Sequence, residues 1–305
     1  NAIHGFLSML NLLLQNEKPT HLAVAFDKSR VSFRTAEYPE YKGTRGETPS
    51  EFKGQIPLLQ EALTAMRIPT LEVEGFEADD IIATLATRGA AEGFDVLVTS
   101  GDRDTIQLIT PNITLLYPNA RGVSELKRYD REAVLEKYGI EPEQYPEIAA
   151  LVGETSDNLI GIDKVGEKTA VKWIQQYGTV DNLLAHADEI GGVVGNNLRE
   201  QRDRAIRNRK LNRLVTDVDL PLGPADVARQ PMDVEAVREI FGRLQFKALL
   251  ERLLKIEGVT DQTQLTDGGV AATELPPVQR LTGVELESWL DRQSAGGTAP
   301  LGVRV

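Results

Sequence analysis

The sequence predicts an α/β fold, a mostly parallel central sheet with helices on both faces, followed by a helical subdomain. Three observations predict it. Between residues 1 and 140 short apolar runs alternate with helical periodicity, the pattern of strand–helix units that feed a parallel sheet. From about residue 140 the pattern becomes helical throughout. Two of the apolar runs also end in acid, "AVAF" in Asp27 and "VLVTSG" in Asp102 and Asp104, and in open α/β sheets the working crevice lies beyond the carboxyl ends of the strands.

Taken in order, Ile3, Phe6, Leu7, Leu10 and Leu14 recur at helical spacing and predict a helix over 2–16. The same stretch lacks a basic leader and a small-residue cleavage site and is too short to span a bilayer. A soluble, cytoplasmic chain with no membrane partner is expected. Strands are predicted at "HLAVAF" (21–26), "TLEV" (70–73), "DVLVTS" (95–100) and "ITLLY" (113–117), and helices over 51–66, 77–91 and 130–138. These elements make up an α/β core over 1–145, and a helical subdomain follows over 146–257. Within it, Gly161 and Gly166 bracket a short turn before a helix beginning near Glu167, on which Trp173 reads as core. The run "REQRDRAIRNRKLNR" (199–213) is basic, and "VEAVREIFGRLQFKALLERLLK" (234–255) is helical. Residues 258–280 are rich in Gly, Thr and Pro and read as a linker, and "APLGVRV" reads as a strand starting at the end of a 258–305 segment.

Composition narrows the chemistry. With 305 residues and 41% hydrophobic content the chain can bury one large core or two. The absence of cysteine excludes disulfides, thiolate nucleophiles and cysteine-based zinc sites. His4, His21 and His186 show no metal-ligand spacing, so a bound metal must take oxygen ligands. A net charge of −12 argues against nucleic acid as a partner unless charge is segregated. Segregation is visible: Lys28, Arg30, Arg34, Lys42, Arg45 and Lys53 gather between 28 and 53, and the 199–213 run adds a second basic stretch, for which a solvated helix face is the plainer reading.

In "EGFEADDIIATLA" (74–86), Glu77, Asp79 and Asp80 precede the buried face of a helix. Acids there cap free N–H groups and complement the helix dipole. Asp27, Asp102 and Asp104 come from other elements that open onto the same rim. So many carboxylates repel one another unless cations neutralise them. Mg2+ or Mn2+, as two or more ions, fits such a ligand set, and a two-metal site suits phosphodiester hydrolysis. Glycines at an inter-helix turn beside a helix N-terminus can form a phosphate cradle, with Lys164, Lys168 and Lys172 adding charge. A plain helix hairpin is the alternative.

Together "AVAFD", "SFRTAEYPEYKGTRGETPSEF", "GFEADDIIATLA", "TSGDRDTIQL" and "GETSDNLIGIDKVGEKTA" resemble, in order and spacing, the 5′ nuclease (5′-3′ exonuclease, flap endonuclease) domain family of bacterial DNA polymerase I. The resemblance covers about residues 1–255 and implies a PIN/flap-endonuclease-like fold. It implies metal-dependent cleavage of 5′ flaps, nicks or gaps in DNA during replication and repair, by a monomer that is part of a polymerase. The implied metal ligands are Asp27, Glu77, Asp79, Asp80, Asp102, Asp104 and Asp157, with Glu154 where the family carries Asp. Lys42, Arg45 and Arg34 are implied at the scissile phosphate. The helical 146–257 subdomain is implied to bind DNA through a helix-hairpin-helix, with Gly161, Lys164, Gly166, Lys168 and Lys172 at the duplex and a monovalent cation at that turn. The family's hairpin reads Gly-hydrophobic-Gly; here it is Lys164-Val165-Gly166, and Lys at a position with φ > 0 would be strained. The family's first strand, with a further Asp, is expected ahead of Asn1. Rival readings are a non-catalytic DNA-binding module and a nuclease-fold scaffold for partner proteins.

Overall fold

The computed structural model describes residues 2–46, 54–119 and 122–259. The linker and strand expected over 258–305 therefore lie outside the described residues from 260 onward. Helix α1 (Ala2–Asn16) buries Ile3, Leu7, Leu10 and Leu14, one stripe at spacings of four, three and four. Strand β1 (Val24–Ala25) is followed by a short helix, α2 (Phe33–Glu37), by α3 (Gln55–Ala65), and by β2 (Thr70–Leu71), which pairs parallel with β1. Next come α4 (Ala78–Ala91) and β3 (Val96–Thr99), which pairs parallel with β4 (Ile113–Asn119).

Two differences from the expected sheet have local causes. The first strands are shorter than their apolar runs because Leu22 gives its N–H to Val227 O and His21 bridges to Ala228, so the segment preceding β1 bonds to a later part of the chain. Strand β5 (Gly122–Tyr129) pairs antiparallel with β4 and is not foreseen by the sequence. Its apolar residues Val123, Leu126 and Tyr129 recur every three positions, so the alternation that marks a half-buried strand is missing. Among the described residues the sheet consists of a β1–β2 ladder and a separate β3–β4–β5 ladder.

Helix α5 (Arg131–Tyr138) starts at the cap Asp130, whose carboxylate accepts from Ala133 N, and stops at Gly139, φ 70°. Beyond it lie α6 (Tyr145–Val152), a hairpin of β6 (Gly153–Glu154) and β7 (Leu159–Ile160), then α7 (Glu167–Tyr177), α8 (Val180–Ala185), α9 (Gly192–Glu200) and α10 (Arg202–Asn212). The basic run is thus broken at Gln201. The last pair, α11 (Val234–Arg243) and α12 (Lys247–Ile256), separates at Gln245, φ 60°. Trp173 is buried, as expected. The larger core joins α4 and β3–β4 to α6, α7, α8 and α10 through Ala83, Val98, Leu115, Leu151, Ile174 and Ala205. A second joins α1 and α3 to α11 and α12 through Leu7, Leu63, Phe241 and Leu253. Among the described residues no helix is long and apolar enough to cross a membrane.

Candidate metal and nucleic-acid site

The carboxylates are brought together by strand ends and a helix start. Asp27, just past β1, accepts a hydrogen bond from Ala78 N in the first turn of α4 (2.7 Å). Past β3, Ser100 Oγ accepts from Asp102 N (3.1 Å) and donates to Asp79 Oδ1 (3.3 Å). Asp102 then caps a 3₁₀ turn, Arg103–Leu108, by accepting from Asp104 N (2.9 Å). Asp79 consequently sits among Asp102, Asp27 and Glu77. Burial, then the charges of Asp102, Asp27 and Glu77, partly opposed by Lys42, push its carboxyl up to about 7.

A second group forms where the β6–β7 hairpin meets the 3₁₀ turn. One ligand atom each from Asp104, Glu154 and Asp157 lies within 4.8 Å of the others. Burial raises Asp104 well above the carboxylate range, with Glu154 and Asp102 adding to it, and burial followed by Asp102 and Asp157 pushes Glu154 up to about 7. Asp104 Oδ1 and Glu154 Oε2 are buried without a hydrogen-bond partner. A buried carboxylate oxygen with no donor is costly. The Asp104 and Glu154 carboxyls lie within hydrogen-bonding reach of each other and can share a proton, and a hard oxygen-seeking cation that displaced it would satisfy both atoms. The donor set fits a divalent ion, and the extra methylene of Glu154 does not remove it from the group.

Asp80 and Arg34 depart from their expected roles. Arg34 is 1% exposed and grips Asp80, itself 0% exposed, with two hydrogen bonds of 2.6 and 2.7 Å. Asp80 also accepts from Glu77 N and Val215 N. With four donors its carboxylate is saturated, so the structure corrects its assignment as a metal ligand: it is the buried half of an ion pair and a capping residue of α4. Arg34, which further donates to Leu211 O (2.7 Å) and Arg213 O, is correspondingly withdrawn from any phosphate.

Lys42 and Arg45 do face the carboxylates. Lys42 Nζ donates to Glu77 Oε2 (2.8 Å), and Arg45 to Asp157 Oδ1 (2.7 Å) and Ser156 O. Burial pulls the Lys42 ammonium down, but Glu77 and Asp157 outweigh it and hold it above its usual value. The Lys42 backbone, at φ 54°, donates to Asp157 O (2.9 Å) and so fastens this segment to the hairpin. Tyr41 was missed by sequence reasoning: buried, it donates to Asp157 Oδ2 (3.0 Å) and lies 3.3 Å from Glu77 Oε2. Its place directly before Lys42 in "EYKGTR" was the available signal.

At the expected helix-hairpin-helix turn, Lys164 adopts φ 64°, the left-handed conformation that disfavours Lys. Gly166 precedes α7 as its cap, and Lys164, Lys168 and Lys172 are exposed. Gly161 is needed for close packing, since a Cβ there would lie 2.2 Å from Val152 O. Much of the basic run is consumed internally: Arg204 donates to Gly161 O, Arg209 pairs with Asp181, Lys210 with Glu37, and Arg207 stacks over Tyr38.

Carboxylates gathered at the ends of β1 and β3 and at the start of α4, faced by Lys42 and Arg45, form an arrangement suited to holding cations and acting on phosphodiesters. Residues 1–139 match the family described as 5′-3′ exonuclease, N-terminal resolvase-like domain, and residues 140–235 match 5′-3′ exonuclease, C-terminal SAM fold; the chain belongs to the 5′-3′ exonuclease family. Its curated relatives include DNA polymerase I of Mycobacterium tuberculosis, 48% identical over 268 residues, which takes in 88% of this chain and 30% of that protein. The chain therefore spans about a third or less of the length of such relatives. Among solved structures, T5 5′-exonuclease with bound divalent metal ions (zinc) aligns at TM-score 0.60 and 22% identity, covering 84% of this chain and 91% of that one. The catalytic core of Rad2 in complex with DNA substrate aligns at TM-score 0.57 and 16% identity, covering 83% and 85%. These two likenesses support the fold.

Proposed function

We propose that this chain is a Mg2+- or Mn2+-dependent, structure-specific 5′ nuclease that cleaves phosphodiester bonds at 5′ flaps, nicks or gaps in DNA, acting as a monomer in the cytoplasm within a polymerase. The observation that carries the reading is the pair of buried, partnerless oxygens on Asp104 and Glu154 beside Asp157. Asp104, Glu154 and Asp157 would hold one ion, and Asp79, Asp102, Asp27 and Glu77 supply the carboxylates for another. Bound there, such ions supply Lewis acidity and a water of lowered pKa for hydrolysis.

The chain's own residues prepare the substrate. Arg45, whose side chain is 48% exposed, is the cation a phosphate meets first from solvent. Lys42 lies deeper against Glu77 and polarises the same group. Exposed Lys164, Lys168 and Lys172 hold the duplex at the hairpin, where the turn's backbone offers a monovalent-cation site, and they act on affinity independently of sequence. The test is cleavage of a labelled 5′-flap duplex with Mg2+, with Mn2+ and with excess EDTA. Cleavage that needs the divalent ion and stops on chelation is expected; a rate unchanged by EDTA would overturn the reading.

A further inference from the structure

The segment leaving α10 acts as a strap against the Arg34–Asp80 pair and the 3₁₀ turn that carries Asp104. Each residue from Leu211 to Val215 contributes one backbone group to a side chain beside them: Leu211 O and Arg213 O to Arg34, Asn212 O and Leu214 N to Gln107, and Val215 N to Asp80. Gln107 is the link to the second group. Its Nε2 donates to Asp104 O (2.7 Å) and Asn212 O (3.0 Å), while its Oε1 accepts from Leu214 N (3.0 Å). Asp104 N is held by Asp102 Oδ1 (2.9 Å). Both backbone polar groups of Asp104 are thereby held, one by Asp102 and the other by Gln107.

We propose that Gln107 is a positioning residue, setting Asp104 against the 211–215 strap so that Asp104, Glu154 and Asp157 are held ready for a divalent ion. The inference rests on the metal reading above. The strap reaches further: α10 donates from Asn208 to Ile160 O (2.8 Å) and from Arg204 to Gly161 O (3.0 Å), so the hairpin and Asp104 share one support. Partners one step behind metal ligands commonly change metal affinity by about 10- to 100-fold when removed.

The experiment is a Mn2+ titration of the whole chain without DNA, read by electron paramagnetic resonance, for the parent, Gln107→Met and Gln107→Glu. Met keeps the length but has no donor, and Glu keeps the acceptor for Leu214 N–H while turning an oxygen towards two carbonyls. Both variants are expected to bind Mn2+ at least about tenfold more weakly, with duplex affinity in EDTA within twofold of the parent and cleavage partly recovered at high metal. Folded variants that bind Mn2+ within twofold of the parent overturn the inference, as does loss of circular dichroism in both, which would make Gln107 a core residue. A parent that takes up no Mn2+ would instead overturn the metal reading itself.

Discussion

Asp80 and Asp104 are both buried carboxylates, 0% and 7% exposed, and their surroundings are opposite. Around Asp80 the fold places a guanidinium and two backbone N–H groups. Around Asp104 it places Glu154, Asp102 and Asp157. The first is a finished ion pair, and the second is a set of like charges kept together by the backbone. Burial of an acid does not identify a metal ligand; what faces it does.

The largest effect is expected where charge is unfinished. Asp104→Asn should lower flap cleavage at saturating Mg2+ by at least about a thousandfold, about 4 kcal/mol in barrier, with the metal-free chain no less stable than the parent because a like charge is removed. Single-turnover kinetics and urea unfolding check the two halves; a strongly destabilised variant would show that Asp104 is as structural as Asp80. At the finished pair, Arg34→Met should cost about 3 kcal/mol of stability by leaving Asp80 buried and uncompensated. The double change Arg34→Met with Asp80→Leu should recover most of that loss in urea unfolding, and no recovery would mean that the strap contacts of Arg34 matter more than its charge.

The unfinished group also predicts an unusual pH dependence. Burial and the neighbouring acids push the Asp79 and Glu154 carboxyls up to about 7 in the folded chain, against about 4 when unfolded. Between those values the native state binds more protons than the unfolded one, so stability falls as pH rises. In EDTA, stability should drop from about pH 5 to about pH 8 by roughly 2.5 kcal/mol for each of the two groups, about 5 kcal/mol in all or about ten degrees and more in melting temperature, and adding Mn2+ at the higher pH should restore it. A flat profile would mean that the acids are not as crowded as the geometry makes them. The smallest effect belongs to the intermediate case, the pair of half-exposed Arg45 with buried Asp157, which keeps Tyr41 as a second donor. Arg45→Ala should change stability by under about 1 kcal/mol yet slow cleavage at saturating DNA by roughly tenfold. Equal losses in rate and DNA affinity would place Arg45 in docking and not at the reacting phosphate.

The position of acids at strand ends was legible because strand direction is local information, whereas their meeting depends on α4, which takes Asp27 at Ala78 N and Ser100 at Asp79. What separated Asp80 from Asp79 was not legible: the groups that saturate Asp80 come from Arg34 and Val215, 46 and 135 residues away in sequence. The same holds for Gln107, whose partners at 212 and 214 lie on another element. The β6–β7 hairpin was hidden for a local reason, since its strands are two residues each and turn through Asn158 at φ 59°, too short for periodicity to register. Basic residues in 199–213 were visible as charge, but their pairing with Glu37, Asp163 and Asp181 depends on packing.

The fastening of residues 38–45 to the β6–β7 hairpin bears on how such a molecule can be divided. Asp157 receives Tyr41, the Lys42 backbone and Arg45, while Asn158 donates to Glu40 O. The family descriptions change at 139/140, yet the ligand group, the strap and the larger core all straddle that border. In the folded chain the border is not a seam. Fragments divided there would each carry an incomplete carboxylate set and a torn core face, and exchanging one portion with a relative would require the other to bring matching contacts. Named separately, the two portions share one core and one ligand group, and melting of either exposes the other's buried face.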